Sequence, residues 1–268
     1  MSDMLQPRTD PRSTEDLIRV ALTLEGDERD KVVSILHWRG TLDVLEAARE
    51  LCESAAPAER ELGADILGQL GVPQRTFPNE CFHLLAHTLD RESLSGVLES
   101  IAFAFGYLRD ARSIEYLLRL KNHARSEVRF AVAWALPHED ERAITGLIEL
   151  SADPDEDVRD WATFGLGTQI ETDTSAIRDA LAARLVDPHN DTRAEALVGL
   201  AKRRDEQALH PLMAELARRQ FGWLAVEAAA ELADPRLYPL LVRIRDEITD
   251  LAEYEKQDLI EAIRRCKA

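Results

Sequence analysis

Cys81, His83 and His87 lie close together, and the two histidines are four residues apart, so on a helix they face the same side. A thiolate beside two imidazoles is a fragment of a zinc site. No fourth ligand is evident in the sequence, and Cys81 falls at a helix start, so no metal is expected here. Asp153, Asp155 and Asp157 imitate positions 1, 3 and 5 of a calcium loop. The sixth residue, however, is Val158, where such a loop needs Gly, and the twelfth is Phe164, where it needs Glu. The three acids read instead as the negative start of a helix. Ser-His-Asp, Walker and Rossmann signatures are absent. No catalytic residue and no cofactor is expected.

The elements that carry these residues repeat. With Arg159 as position zero, Val158 stands at −1, Ala162 and Thr163 at +3 and +4, and Leu166 at +7. Arg29, Arg60, Arg129 and Arg193 open the same frame, and weaker copies start at Leu98, Ala225 and Lys256. Successive zero positions are 31, 38, 31, 30, 34, 32 and 31 residues apart. Such a period marks a solenoid, whose units bury their apolar faces by stacking on one another. Positions −1, +3, +4 and +7 share one side of a helix, and small residues at +3 and +4 let neighbouring helices approach. A second apolar run in each unit, such as Ile114–Leu120, Ile144–Leu150 and Leu237–Val242, supplies its other helix. Asp153, Asp155 and Asp187 precede the second helices. Arginine at a helix start opposes the helix dipole, so Arg159 and Arg193 are expected to bond acids or carbonyls of the preceding unit.

On Asp153-Pro154, Val158-Arg159, Ala162 and Leu166-Gly167, the chain resembles the HEAT-like repeats first named for phycobilisome lyases. Asp187-Pro188, Arg193, Ala196 and Leu200 carry a second copy of that pattern, and the resemblance covers about residues 17 to 266. It implies an all-α, right-handed α-solenoid of about seven to eight helix pairs: residues 1–12 as a flexible N-terminus, residues 13–268 as a single array. It implies little about function, because such repeats serve many roles. Related di-iron deoxyhypusine hydroxylases use His-Glu pairs on their second helices, whereas His138-Glu139 here follows a helix end. HEAT-like alkylpurine DNA glycosylases use Trp and Asp in a basic groove. Trp134, Asp160 and Trp161 echo that composition, but the charge is opposite. A glycosylase or a bilin lyase-like factor is the alternative from a different class.

If −1, +3, +4 and +7 are buried, +1 and +5 point the other way, towards the concave wall of the stack. Position +5 reads Ser34, Asp65, Phe103, Trp134, Phe164, Val198, Ala230 and Glu261. Position +1 reads Asp30, Glu61, Glu99, Phe130, Asp160, Ala194, Val226 and Gln257. Tyr107 lies one turn beyond Phe103, and Trp161 and Glu195 lie on the flank. Equivalent residues of neighbouring units should stand about 10 Å apart. Aromatic rings with an acidic rim have the composition of a protein-recognition patch. Phe103, Tyr107, Phe130, Trp134, Asp160, Trp161, Phe164 and Glu195 are therefore the candidate partner-binding residues.

The charge points the same way. The chain of 268 residues carries a net charge of −17, and between Glu139 and Glu195 fifteen acids face five arginines and no lysine. Such a surface repels phosphate backbones and favours a basic protein. Three scattered cysteines, Cys52, Cys81 and Cys266, suit a reducing compartment. With neither an apolar signal region at the start nor a run long enough to span a membrane, the expected location is the cytoplasm. The one long step between units contains Gly71 to Asn79, read as an inserted loop. Ser13–Asp16 reads as a capping-box start, and Leu251–Cys266 as a polar closing helix. The expectation is a non-enzymatic interaction module or scaffold for a basic protein. An immunity or inhibitor protein for a basic toxin is one concrete version.

Overall fold

The computed structural model describes residues 10–248 and 251–267, so most of the stretch expected to be a flexible N-terminus lies outside the described residues. The chain is an all-α repeat fold of the solenoid type. Sixteen α-helices and no strand occur among the described residues. They form eight pairs, distributed over two compact units, Met1–Leu136 and Pro137–Ala268.

In the first unit the first helices of the pairs are α1 (Thr14–Ala21), α3 (Leu42–Cys52), α5 (Pro78–Leu89) and α7 (Ser113–Leu120). The second helices are α2 (Gly26–Arg39), α4 (Pro57–Gln69), α6 (Ser95–Leu108) and α8 (Ser126–Ala135). In the second unit α9 (Glu141–Leu150), α11 (Ser175–Arg184), α13 (Leu209–Leu216) and α15 (Tyr238–Glu247) alternate with α10 (Glu156–Phe164), α12 (Asn190–Lys202), α14 (Leu224–Leu232) and α16 (Glu253–Cys266). Every zero position of the repeat falls in the first turn of a second helix. Within each unit the second helices pack on one another in sequence, α2 to α8 and α10 to α16.

Burial follows the frame. Val128, Val132, Ala133 and Leu136 are buried, as are Val158, Ala162, Thr163 and Leu166, and Thr192, Ala196, Leu197 and Leu200. In α16 the frame opens out, and Ile260 at +4 is exposed. The small residues do what their size allows. A Cβ on Gly199 would meet the Gly167 Cα at 2.6 Å, so α12 and the turn after α10 touch backbone to backbone.

The caps are local. Ser13 Oγ accepts the Asp16 N–H, and Asp155 accepts the amides of Asp157 and Val158. Past Phe164 the chain widens into a π-helical turn, Gly165–Gln169. Arg203 satisfies its loosened carbonyls, donating to those of Leu166, Gly167, Ile170 and Thr172, and to that of Gly199. Thirty-odd residues separate Arg203 from the first four of these acceptors, so one repeat closes the helix end of another.

Two expectations need correcting. The inserted loop ends at Phe77, because Pro78 and Asn79 already form the first turn of α5, where proline's fixed φ and missing N–H cost nothing. The polar closing helix starts at Glu253, two residues later than expected.

The arginine ladder also differs from its expected form. Arg60, Arg129, Arg159 and Arg193 each donate to the carbonyls six and five residues upstream, in the loop of their own helix pair. Where an acid joins, it comes from the following pair, because that pair's loop lies beside the arginine's helix start. Arg159 takes Asp187 in a fork, at 3.0 and 3.1 Å, and Arg60 takes Glu92 at 2.7 Å. Burial would raise the Asp187 carboxyl, but Arg159 and the His189 amide hold it below the usual carboxylate range.

Candidate functional site

The candidate rings form two groups, one in each compact unit. In the first unit, α6 carries Phe103 and Tyr107, and α8 carries Phe130 and Trp134. Their ring centres lie 5.4 Å apart for Phe103–Trp134, 6.2 Å for Phe103–Phe130 and 4.8 Å for Tyr107–Trp134, all steeply inclined. Edge-to-face contacts of this kind lock the rings together. The spacing is much shorter than the 10 Å expected for equivalent positions. The helix axes are fixed by packing, but large side chains lean across the gap between them. A Cβ on Gly106 would meet the Trp134 ring at 2.5 Å, so the bare glycine backbone is the shelf on which the indole lies.

In the second unit Trp161 and Phe164 pair on α10, with ring centres 5.5 Å apart. Asp160 accepts a hydrogen bond from the Thr192 hydroxyl at 3.3 Å. Phe103, Phe130, Trp134, Trp161 and Phe164 are half-buried, and Tyr107 is 40% exposed. These rings thus have one packed face and one open face. The +1/+5 face is not open throughout, because Val198, Val226 and Ala230 are buried. There the side chains are small and the second helices close over them.

The acids on this face are half-buried and stand close enough to other carboxylates to feel their repulsion. Burial and then the neighbouring carboxylates of Asp160 and Glu227 push Glu195 up to about 7, against the opposing pull of Lys202. Burial also raises Asp160. In the first unit burial raises Glu99, with Glu127, Glu61 and Asp65 adding repulsion. Burial raises Asp65 even though Arg29 donates to it at 2.6 Å. Half-buried carboxylates that repel one another favour an incoming cation.

Sequence reasoning missed the cavity beside the first aromatic group. A concavity of about 790 Å³ opens on α2, α4 and α6, with Trp38, Phe103 and Tyr107 as its aromatic lining and Asp30 and Asp65 as its acids. His37 closes its floor. Its Nε2 lies 2.9 Å from the Asp65 carbonyl, and burial holds it down at about 4, so it is uncharged at neutral pH. A signal existed. Trp38 stands nine residues after Arg29, the position that Tyr107 holds after Leu98.

The inserted loop frames one end of this cavity. Arg75 donates to the carbonyls of Gly68 and Tyr107, and Thr76 to that of Gly40, tying the ends of α2, α4 and α6 together. Cys81 is buried with its thiol pushed up to about 12, His83 and His87 are exposed, and no cluster of three or more ligands occurs among the described residues. Cys52 and Cys266 are likewise free and buried. No helix among the described residues is long and apolar enough to cross a membrane.

Comparison with known proteins places this geometry in a family. The sequence profile of HEAT repeats matches residues 83–167 and 144–230. The protein YibA of Escherichia coli K12 is 29% identical over 235 residues, covering 85% of this chain and 83% of YibA, and its counterpart in strain O157:H7 is equally similar. The crystal structure of E. coli YibA superposes with a TM-score of 0.72 at 25% identity, over 96% of this chain and 97% of that one. An engineered protein of known structure shares the fold at a TM-score of 0.54 and 18% identity, over 94% of this chain and 78% of its own.

Proposed function

The chain belongs to the HEAT-repeat family, and from that premise we propose that it is a non-enzymatic interaction module that binds a basic protein through the acidic and aromatic face of its second helices. The observation that carries this reading is the half-open aromatic group Phe103, Tyr107, Phe130 and Trp134 beside under-compensated carboxylates. Rings fixed by each other lose little entropy when a partner covers them. The acids around them attract positive charge and select against nucleic acid. Asp160, Trp161, Phe164 and Glu195 extend the same chemistry to the second unit. The free buried thiols suit a reducing cytosol. An immunity or inhibitor protein for a basic toxin is a concrete role that uses this chemistry in full.

The test is kinetic. A basic partner captured from native lysate should associate at a rate that falls by about tenfold or more as salt is raised from low to physiological strength. A rate indifferent to salt would leave the charge as a solubility device and end the reading.

A further inference from the structure

The cavity on α2, α4 and α6 has a chemistry more specific than the face as a whole. Its lining carries two carboxylates, Asp30 and Asp65, against the single lining guanidinium of Arg29, and His37 is kept neutral by burial. Glu61 lines an adjoining concavity of about 430 Å³ together with Arg29 and Asp65, and Glu99 stands close enough to repel Glu61 and Asp65. The local balance is negative even with Arg75 at the end of the cavity, because Asp30, Asp65, Glu61 and Glu99 stand against the guanidinium groups of Arg29 and Arg75. The walls are aromatic, from Trp38, Phe103 and Tyr107, and Tyr107 keeps 40% of its surface open.

Arg29 shows what such a wall accepts. Arg60 and Arg159, in the same repeat position, also meet an acid of the following pair, but that acid lies in a loop, and both turn back onto their own loop carbonyls, as Arg129 and Arg193 do. The Arg29 guanidinium reaches forward and sits on Asp65 at 2.6 Å, at the edge of the cavity. The acid at the next station is Asp30, one residue on and exposed. Gln69 and Ser34 add polar side chains.

We propose that this cavity is a receptor for an arginine side chain on an extended segment of the protein partner, with the guanidinium stacked among Trp38, Phe103 and Tyr107 and bonded to Asp30. The inference rests on the reading of the chain as a module for a basic protein. It narrows that reading to one residue type and one pocket. Arginine fits better than lysine for three reasons. Its planar cation stacks on aromatic faces, it surrenders hydration more readily, and it presents a fork of donors to a carboxylate. The volume lies within the range of ligand pockets and exceeds the needs of one side chain, so residues flanking the arginine enter as well.

The experiment uses the full chain and three labelled peptides, identical except that one carries four arginines spaced by Gly-Ser, one four lysines and one four citrullines. Affinity is read by fluorescence anisotropy at low salt. The expected result is about tenfold tighter binding of the arginine peptide than of the lysine peptide, and no binding of the citrulline peptide. Asp30→Asn and Trp38→Leu should each weaken the arginine peptide about tenfold and abolish its advantage over lysine. Asp30 is exposed, so that variant keeps the test alive should Trp38→Leu fail to fold.

Equal affinity for arginine and lysine peptides would overturn the receptor. So would unchanged binding of the arginine peptide by Asp30→Asn. In either case, a loss of peptide binding in Asp160→Asn or Glu195→Gln would leave the broader reading intact and move the contact to the second unit. Failure of every basic peptide to bind would sink both.

Discussion

The indole of Trp134 lies 4.8 Å from the ring of Tyr107, centre to centre and inclined at 62°, and these two side chains come from neighbouring helices of the repeat. The contact makes one residue the support and the other the exposed surface. Trp134 is half-buried over the Gly106 backbone, whereas Tyr107 stands open on it.

Gly106→Ala should therefore disturb the aromatic group without touching any of its members. The added methyl meets the Trp134 ring and the Ala135 Cβ, at 2.5 and 2.8 Å. The ring must move, at a cost of about 1–3 kcal/mol for overpacking. Thermal melting and the near-ultraviolet dichroism of the indole would check it. An unchanged spectrum would mean the shelf is not a shelf.

The arginine ladder gives an ordering. Removing Arg159 takes the fork from the buried Asp187 and leaves Arg184, at 3.3 Å, as its remaining cation, so Arg159→Ala should cost about 3 kcal/mol, the low end of the range for a broken buried pair. Arg193 bonds two carbonyls and Asn190, so Arg193→Ala should cost about 1–2 kcal/mol. Equal melting temperatures for the two variants would contradict this account of the ladder.

Arg203 closes the π-helical turn by donating to five carbonyls across two repeats. Lysine has neither the fork nor the number of donors. Arg203→Lys should lower stability by about 2 kcal/mol, because carbonyls freed inside the structure lose their partners. Hydrogen exchange should quicken first between Leu166 and Thr172. Uniform exchange throughout would point to a global cause.

Glu195 sets a pH dependence. Its folded value, about 7, lies above the ordinary glutamate value of 4.5, so the folded chain holds the proton more tightly than the unfolded one. The contribution is fully present below pH 4.5 and is lost as pH rises through 7. Glu195→Gln should melt about 2 °C higher than the parent at pH 8 and equally at pH 4.5. A gap of the same size at both values would place the effect in packing and not in charge.

The repeat was legible in the sequence because its signals are local and redundant. Arg159 with Ala162, Thr163 and Leu166 states a buried helix face within eight residues, and several further copies restate it. The direction of the ladder was not legible. Asp187 lies twenty-eight residues from Arg159, and only the packing of successive pairs brings the following loop, and not the preceding one, to the guanidinium. The aromatic residues were found by their shared face. Trp38 was not legible from the +1 and +5 stations alone, because it stands at +9, one turn beyond +5, where Tyr107 stands in its own unit. The burial of Val198 and Val226 was hidden for a related reason: small side chains let the helices close over the face that larger ones hold open.

The central claim is that the open aromatic face binds a partner, and Tyr107→Ala tests it most directly. The Tyr107 carbonyl that receives Arg75 survives the substitution, and its side chain is 40% exposed, so the melting temperature should fall by no more than about 2 °C. Affinity for the captured basic partner, measured by calorimetry, should weaken by about 2 kcal/mol, roughly thirtyfold, as expected for an aromatic hot spot. An affinity equal to that of the parent chain, with the fold intact, would contradict the account.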